Sequence, residues 1–285
     1  MQSKRWNEII TSDKKSLNLN IKEILKFRDL LFLFVKRDIV TIYKQTILGP
    51  LWYLIQPLFT SLIFTLIFNN VANIQTNGVP PFLFNLGGVI IWNYFADCFK
   101  GTSDTFKKNE DIFGKVYFPR VIMPASVIVS NLLKLGIQMI IFLAAFIYYY
   151  IEDQIDLPSV GILYFPILIL IMGITGLSLG MITSSLTTKY RDLIFLIAFG
   201  VQLLMYLSAV MYPIEMIVEK MPDIAFVVQY NPLAQVIDLS RKSYFFGGGL
   251  ELGLAILYPL LISIILFIFG LAVFNRTEKN FIDTI

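Results

Sequence analysis

The sequence predicts an all-α integral membrane protein with six transmembrane helices. Of its 285 residues, 56% are hydrophobic and only 15% are charged, whereas a soluble domain carries about 25% charged residues. Its mean hydropathy is +0.72. A helix needs about 20 apolar residues to cross a bilayer, and several stretches of this chain are that long. These observations exclude an ordinary soluble enzyme.

Six apolar stretches organise the chain. They lie at about 51–70, 81–99, 124–151, 159–186, 193–212 and 250–274. The third and fourth exceed the length that a perpendicular helix needs, which predicts tilt or an interfacial turn. Around this six-span domain, taken as residues 51–275, we expect an N-terminal segment at 1–26, an amphipathic helix at 27–50 and a tail at 276–285.

The basic residues lie mostly on one side of the predicted spans. Of 23 Lys and Arg, ten precede residue 51, five lie in 100–120, two in 187–192 and two in the tail. Connections 71–80 and 152–158 contain none. The positive-inside rule therefore predicts that both termini of this multi-pass protein are cytoplasmic.

Residues 27–50 predict a basic amphipathic helix in the plane of the membrane interface. Phe32, Val35 and Ile39 fall on one helical face, and Arg37 and Lys44 fall opposite. Such a helix would hold these cations at the height of the lipid head groups. They either bind anionic lipid and set the topology, or meet a substrate that carries phosphate.

Residue types that the chain lacks exclude several chemistries. It contains no histidine, which removes imidazole acid–base chemistry and imidazole metal sites. Its single cysteine, Cys98, forms no internal disulfide. The Gly114–Lys115 pair lacks the rest of a P-loop. We therefore expect no catalytic residue, metal or cofactor on this chain, and no ATP hydrolysis by it.

The spans contain two charged residues and one row of small residues that bear on function or packing. Asp97 and Lys134 lie within spans two and three, where we expect them to snorkel to the inner interface unless they are functional. Gly176, Gly180 and Ser184 form a row of small residues in span four. This row allows close helix packing, either within the subunit or between two subunits.

Two connections are too elaborate for simple loops. Connection 100–120 combines many charges with Ile112, Phe113 and Tyr117, which suits either docking onto a soluble partner or packing on the chain's own interfacial helix. Connection 213–249 is too apolar for a free loop, and its stretches are too short to span twice. Short re-entrant helices between spans five and six fit it best.

Five short motifs, in register with the spans, resemble those of ABC-2-type permeases that export bacterial polysaccharides. They are Arg37-Asp38 with Tyr43 to Trp52, Val116 to Arg120, Tyr190 to Asp192, Ser208 to Pro213, and Asn231 to Ala234. That family includes O-antigen, capsule and wall teichoic acid exporters, so the resemblance implies a location in the bacterial inner (plasma) membrane. The resemblance begins near residue 28 and covers nearly all of the chain after it.

The resemblance implies a set of partners and surfaces. It implies a homodimer bound to two copies of a separate P-loop ATPase, with ATP and Mg on that partner and a lipid-linked polysaccharide as substrate. The implied ATPase contacts are Glu110, Asp111, Ile112, Phe113 and Lys115. The implied channel lining on spans one and five is Tyr53, Phe59, Phe64, Phe195, Phe199 and Tyr206. The implied outer gate includes Asn231, Pro232 and Leu233.

The leading hypothesis is the permease subunit of an ATP-driven exporter for an undecaprenyl-diphosphate-linked, O-antigen-like chain. Arg28, Arg37 and Lys44 would hold the diphosphate at the inner entrance, because Arg and Lys suit phosphate oxygens. The alternatives are export of teichoic acid or a capsular polymer, a membrane-embedded lipid-linked glycosyltransferase or phosphatase, and a passive pore. The absence of histidine disfavours the enzymes, and the elaborate cytoplasmic connection disfavours the pore.

Overall fold

The computed structural model describes residues 25–44, 49–109, 112, 118–158, 160–190, 192–246 and 250–281, and only the backbone of residues 42, 43 and 278–281. The described residues form helices and turns, and no strand occurs among them. Within this part of the chain, five helices are long and apolar enough to cross a membrane. The predicted all-α membrane class is therefore confirmed.

The helices follow one another with short connections. In chain order they are α1 (Arg28–Lys44), α2 (Leu51–Phe64, continued by a π-helical stretch at Thr65–Val71), α3 (Pro81–Ser103), α4 (Thr105–Lys108), α5 (Ile122–Ile151), α6 (Phe165–Thr187, after a 3₁₀ turn at Val160–Tyr164), α7 (Leu193–Leu207), α8 (Ile214–Lys220), α9 (Pro222–Gln229), α10 (Pro232–Arg241, continued by a π-helical stretch at Lys242–Phe246) and α11 (Leu250–Phe281).

Helix α7 is shorter than the span predicted at 193–212. Its 15 residues fall below the roughly 20 that cross a bilayer core. The helix ends at Leu207 because the backbone turns there, and Ala209 takes a left-handed conformation with φ of +52°. The six-span count therefore stays a prediction.

The centre of the bundle is formed by α3 and α6, whose backbones approach closely. Leu83, Leu86 and Phe95 of α3 are fully buried. A Cβ atom built on Gly176 of α6 would lie 2.9 Å from the carbonyl oxygen of Phe95. Helix α11 also contacts α6, since a Cβ on Gly270 of α11 would lie 2.7 Å from the carbonyl oxygen of Ser178 in α6. The small residues of span four thus serve packing within the subunit.

Helices α2 and α7 lie outside this centre and are much more exposed. In α2, which is described throughout, the buried side chains are Pro57 and Ser61. In α7, likewise described throughout, Val201 alone is buried. Most of the apolar surface of these two helices is therefore uncovered within the single chain.

The bundle has two ends that differ in charge. We call one the basic end: it joins α1, α4, the start of α5 and the last turns of α3, α6 and α11. There Phe106 stacks on Phe274 with ring centroids 4.7 Å apart, and the Thr187 hydroxyl donates to the Ser103 carbonyl at 2.9 Å. We call the other the far end, formed by residues 72–80 and 208–246.

Candidate functional site

A cavity of about 740 Å³ opens at the basic end between α1, α2, α3, α4 and α5. The charged residues that line it are Arg37, Asp38, Asp97, Lys100, Lys108 and Lys134. Four of these six side chains are cationic, so the cavity has an excess of positive charge. An anionic group of moderate size is the ligand that this arrangement favours.

The inner part of the cavity contains an ion pair between two spanning helices. Lys134 Nζ of α5 lies 3.5 Å from Asp97 Oδ2 of α3 and 5.2 Å from the centroid of the Tyr53 ring. Instead of extending separately to the interface, as snorkelling would have them do, the two charges pair with each other. Tyr53 adds a cation–π contact to the ammonium group.

The outer part of the cavity contains Arg37, and each nitrogen of its guanidinium group donates a hydrogen bond. Its Nε and Nη2 donate to Asp38 Oδ1 at 3.0 and 2.9 Å, and its Nη1 donates to Asn109 Oδ1 at 3.1 Å. The group also lies 5.0 Å from the Phe34 ring centroid. Asn109 follows α4 directly, so this bond ties the N-terminal helix to connection 100–120.

The three residues predicted to hold the diphosphate do not lie together. Arg37 lines the cavity. Arg28 lies at the start of α1 with a mostly exposed side chain near Asp29, at 3.8 Å. Lys44 is exposed at the end of the same helix. Neither Arg28 nor Lys44 lines the cavity, so the positive charge beside Arg37 comes from other cations.

Those other cations, Lys100, Lys108 and Lys134, were not assigned to a site by the sequence reasoning. The sequence holds a signal for Lys100 and Lys108, because both follow Asp97 at positions near the same helical face along α3 and α4. Lys134 shows no comparable signal, because only the packing of α5 on α3 brings it to this face.

The predicted ATPase contacts lie mostly beyond the described residues, namely Glu110, Asp111, Phe113 and Lys115. Ile112 is described, and it is partly buried against an apolar cluster that includes Phe34, Phe106 and Phe118. Its side chain therefore packs within the chain and does not stand out as an exposed anchor.

The six aromatic residues predicted to line a channel separate into two groups. Phe59, Phe195, Phe199 and Tyr206 are exposed on α2 and α7, and Phe195 reaches 80%. Phe64 instead packs edge-to-face on Phe68 with ring centroids 5.6 Å apart. Tyr53 lines the cavity at the basic end.

The far end carries a buried arginine whose two terminal nitrogens donate to neighbouring backbone groups. Arg241 of α10 donates to the carbonyls of Ala209 and Val210 at 2.8 and 2.5 Å, and its guanidinium carbon lies 3.6 Å from the Phe84 ring centroid. Burial lowers the pKa of Arg241 to about 10, so the group stays charged at neutral pH. It holds the turn after α7 against α3.

The residues of the predicted gate lie beside this turn. Asn231 caps α10 by accepting from Leu233 N–H at 3.0 Å, and its amide donates to the Leu207 carbonyl at 3.0 Å. Pro232 is the first residue of the helix. Leu233 is buried in the core cluster, so its side chain packs inside the protein.

A second pocket, of about 590 Å³, lies near these helices at the far end. Lys242 bridges two of its carboxylates, at 2.7 Å from Asp238 and 3.4 Å from Glu215. Burial raises the pKa of Asp238, although Lys242 opposes that change. The lysine thus neutralises a group that would otherwise be a costly buried charge.

The fold and the cavity together define a class: a helical multi-pass membrane protein with a cationic cavity at one end of the bundle. The chain belongs to the ABC-2 type transporter family, whose model matches residues 29–245. The resemblance drawn from the short motifs is therefore confirmed.

Named relatives agree with this membership. The chain is 30% identical over 258 residues to "O-antigen export system permease protein RfbA" of Klebsiella pneumoniae, which covers 90% of this chain and 94% of the relative. It is 23% identical over 265 residues to the protein of the same name from Myxococcus xanthus, across 93% of this chain and 98% of the relative. The chain is thus a transport subunit by family.

Proposed function

We propose that this chain is the permease subunit of an ATP-driven exporter for lipid-linked polysaccharide of the O-antigen type, carried on undecaprenyl diphosphate. The relatives named as O-antigen export permeases match almost the whole chain. The observation that carries the proposal is the cavity at the basic end, where four cations surround a space large enough for a diphosphate group.

The proposed orientation places the basic end and both termini in the cytoplasm of the cell. The cations Arg37, Lys100 and Lys108 line the cavity at this end, and the positive-inside rule assigns such a side to the cytoplasm. The cavity then faces the leaflet in which a lipid-linked glycan is synthesised. The far end, with α8, α9 and α10, lies at the exit of the substrate.

The proposed assembly is a homodimer with two copies of a P-loop ATPase. Two uncovered apolar helices, α2 and α7, provide the surface on which a second copy would pack and a path would form. The exposed aromatic rings of Phe59, Phe195, Phe199 and Tyr206 would then line that path. Rings offer sugars a smooth apolar surface that holds no single unit tightly.

The proposed energy transfer uses connection 100–120. Docking of the ATPase at Glu110, Asp111, Phe113 and Lys115 would bring this partner next to Asn109, so that Asn109 would move when the ATPase moves. Because Asn109 bonds to Arg37 at 3.1 Å, that movement would reach α1 and the cavity. The turn held by Arg241 and the helix capped by Asn231 would act as the gate at the other end.

The first test is biochemical. The chain is expected to co-purify with a P-loop ATPase after gentle extraction, and vanadate-sensitive ATP turnover is expected only in the complex. In vesicles, the complex should move a short undecaprenyl-diphosphate-linked oligosaccharide to the opposite leaflet when ATP is added. ATP turnover by the isolated chain, or a complex that moves no lipid-linked glycan, would contradict the proposal.

A further inference from the structure

Lys134 and Asp97 place opposite charges well inside the spanning helices. Lys134 lies 12 residues after Ile122, where α5 begins, which is about 18 Å along the helix at 1.5 Å per residue. Ionisable groups at such positions are costly and are usually retained for function. The pair lines the cavity, as Arg37 does.

The contacts of Lys134 leave it able to accept a ligand. The ammonium group has three donors, and its contacts in the described chain are Asp97 at 3.5 Å and the Tyr53 ring at 5.2 Å. By contrast, all three nitrogens of Arg37 already donate to Asp38 and Asn109. The ammonium group of Lys134 therefore retains donors from which a ligand can accept.

A second polar group in the same place also points to a ligand. Ser130 lies one turn before Lys134 on α5, so both side chains share one helix face. Ser130 lines the cavity and is 6% exposed, and its hydroxyl has no hydrogen-bond partner among the described residues. A buried hydroxyl without a partner is unfavourable, and a phosphate oxygen would satisfy it.

We infer that Lys134 and Ser130 form a phosphate subsite in the depth of the cavity, with Asp97 as the counterion that the phosphate replaces. A phosphate oxygen accepts from the ammonium group and from the hydroxyl. Lys134 then pairs with the phosphate of the ligand in place of the Asp97 carboxylate. The inference rests on the proposed function, in which the ligand is a lipid-linked diphosphate, and it names the residues that hold one of the two phosphates.

The test uses the complex of this chain with its ATPase, and farnesyl diphosphate as the probe. The concentration that gives half-maximal stimulation of ATP turnover is measured, together with direct binding. Lys134→Met should raise that concentration roughly tenfold or more, and Ser130→Ala roughly threefold. Lys36→Met removes a cation from an exposed position of α1 outside the cavity, and it should leave the value unchanged.

Asp97→Asn provides a test of opposite sign. Because it removes the competing carboxylate, it should lower the half-maximal concentration roughly threefold. The double variant Asp97→Asn with Lys134→Met should behave like Lys134→Met alone, since Asp97 acts through the lysine. Tighter binding does not arise from misfolding, so this variant keeps the test informative even if Lys134→Met folds poorly.

The outcomes separate the inference from the proposed function. A half-maximal concentration that is unchanged in Lys134→Met, or that Asp97→Asn raises as much as Lys134→Met does, would show a structural ion pair. Either result would overturn the inference alone. A wild-type complex that neither binds nor responds to farnesyl diphosphate would overturn the inference, while ATP-driven movement of the lipid-linked oligosaccharide tests the proposed function separately. Inorganic pyrophosphate and phosphatidylglycerol vesicles serve as further probes. If either probe reproduces the Lys134-dependent response in full, the subsite does not recognise a lipid-linked diphosphate.

Discussion

The two ends of the molecule use their cations in opposite ways. At the far end, Arg241 is fully buried, and its donors reach two backbone carbonyls. At the basic end, Lys134 shares a cavity with a carboxylate 3.5 Å away. A buried cation that satisfies the backbone stabilises one conformation, whereas a loosely paired cation at a cavity remains available to a ligand.

The largest effect is expected from removing the buried cation. Arg241→Ala leaves the carbonyls of Ala209 and Val210 without partners and opens a space beside Phe84. We expect the free energy of unfolding to fall by about 3–5 kcal/mol, measured by tryptophan fluorescence during thermal unfolding in detergent. Lys220→Ala, in α8 at the same end, removes an exposed cation and should cost less than about 0.5 kcal/mol. Equal losses of stability in the two variants would contradict the special role of the buried cation.

A smaller effect is expected from crowding the same arginine. A Cβ on Gly88 would meet the guanidinium group of Arg241 and lie 2.7 Å from the Val210 carbonyl oxygen. Gly88→Ala should therefore destabilise the protein by about 1–3 kcal/mol. The control is Gly136→Ala in α5, where a Cβ meets nothing within 4 Å and no loss is expected. A Gly88→Ala protein as stable as wild type would mean that the turn is loosely held.

At the basic end, loss of the Arg37–Asn109 bond should be milder for stability. Asn109→Ala removes two hydrogen bonds, one accepted from Arg37 Nη1 at 3.1 Å and one donated to the Thr105 carbonyl at 2.9 Å, each worth about 1 kcal/mol. Its larger consequence should be functional, because ATP turnover by the complex would proceed with less transport per ATP. Both quantities are measured on the same reconstituted preparation. Unchanged transport per ATP would remove Asn109 from the proposed coupling.

The smallest effect on the stability of the single subunit is expected on α7. Phe195 and Phe199 are 80% and 62% exposed, so replacing both by Ala should change the free energy of unfolding by less than about 0.5 kcal/mol. Self-association, measured by crosslinking in membranes, should weaken instead. A large loss of stability in the monomer with unchanged association would show that these rings pack within the subunit.

Much of the fold was predictable because it depends on local physics. Residues that are apolar over about 20 positions have to form helices in a bilayer, since their backbone groups find no other partners there. For this reason the observed bounds of α3 and α5 lie within four residues of the predicted spans at 81–99 and 124–151. Helix α6 together with its 3₁₀ turn covers residues 160–187, against the predicted 159–186. The end of α7 was missed because the left-handed conformation of Ala209 follows from the contacts of the turn with Arg241.

The candidate site was less predictable, because its residues come from separate elements. Arg37 was found from its place on a basic amphipathic helix. Lys134 was expected to reach the interface, and it pairs with Asp97 because α5 packs on α3. Arg28 and Lys44 belonged to the same basic segment in sequence, yet they do not line the cavity.

The sequence by itself determined the class, since low charge, long apolar stretches and motifs in register leave few alternatives to a helical membrane permease of this family. The tertiary structure alone decided which cations serve packing and which face a cavity. Neither Arg241 nor Lys134 shows in the sequence which of the two roles it takes. Their difference arises from what the neighbouring helices place beside them: two backbone carbonyls in one case, an open cavity in the other.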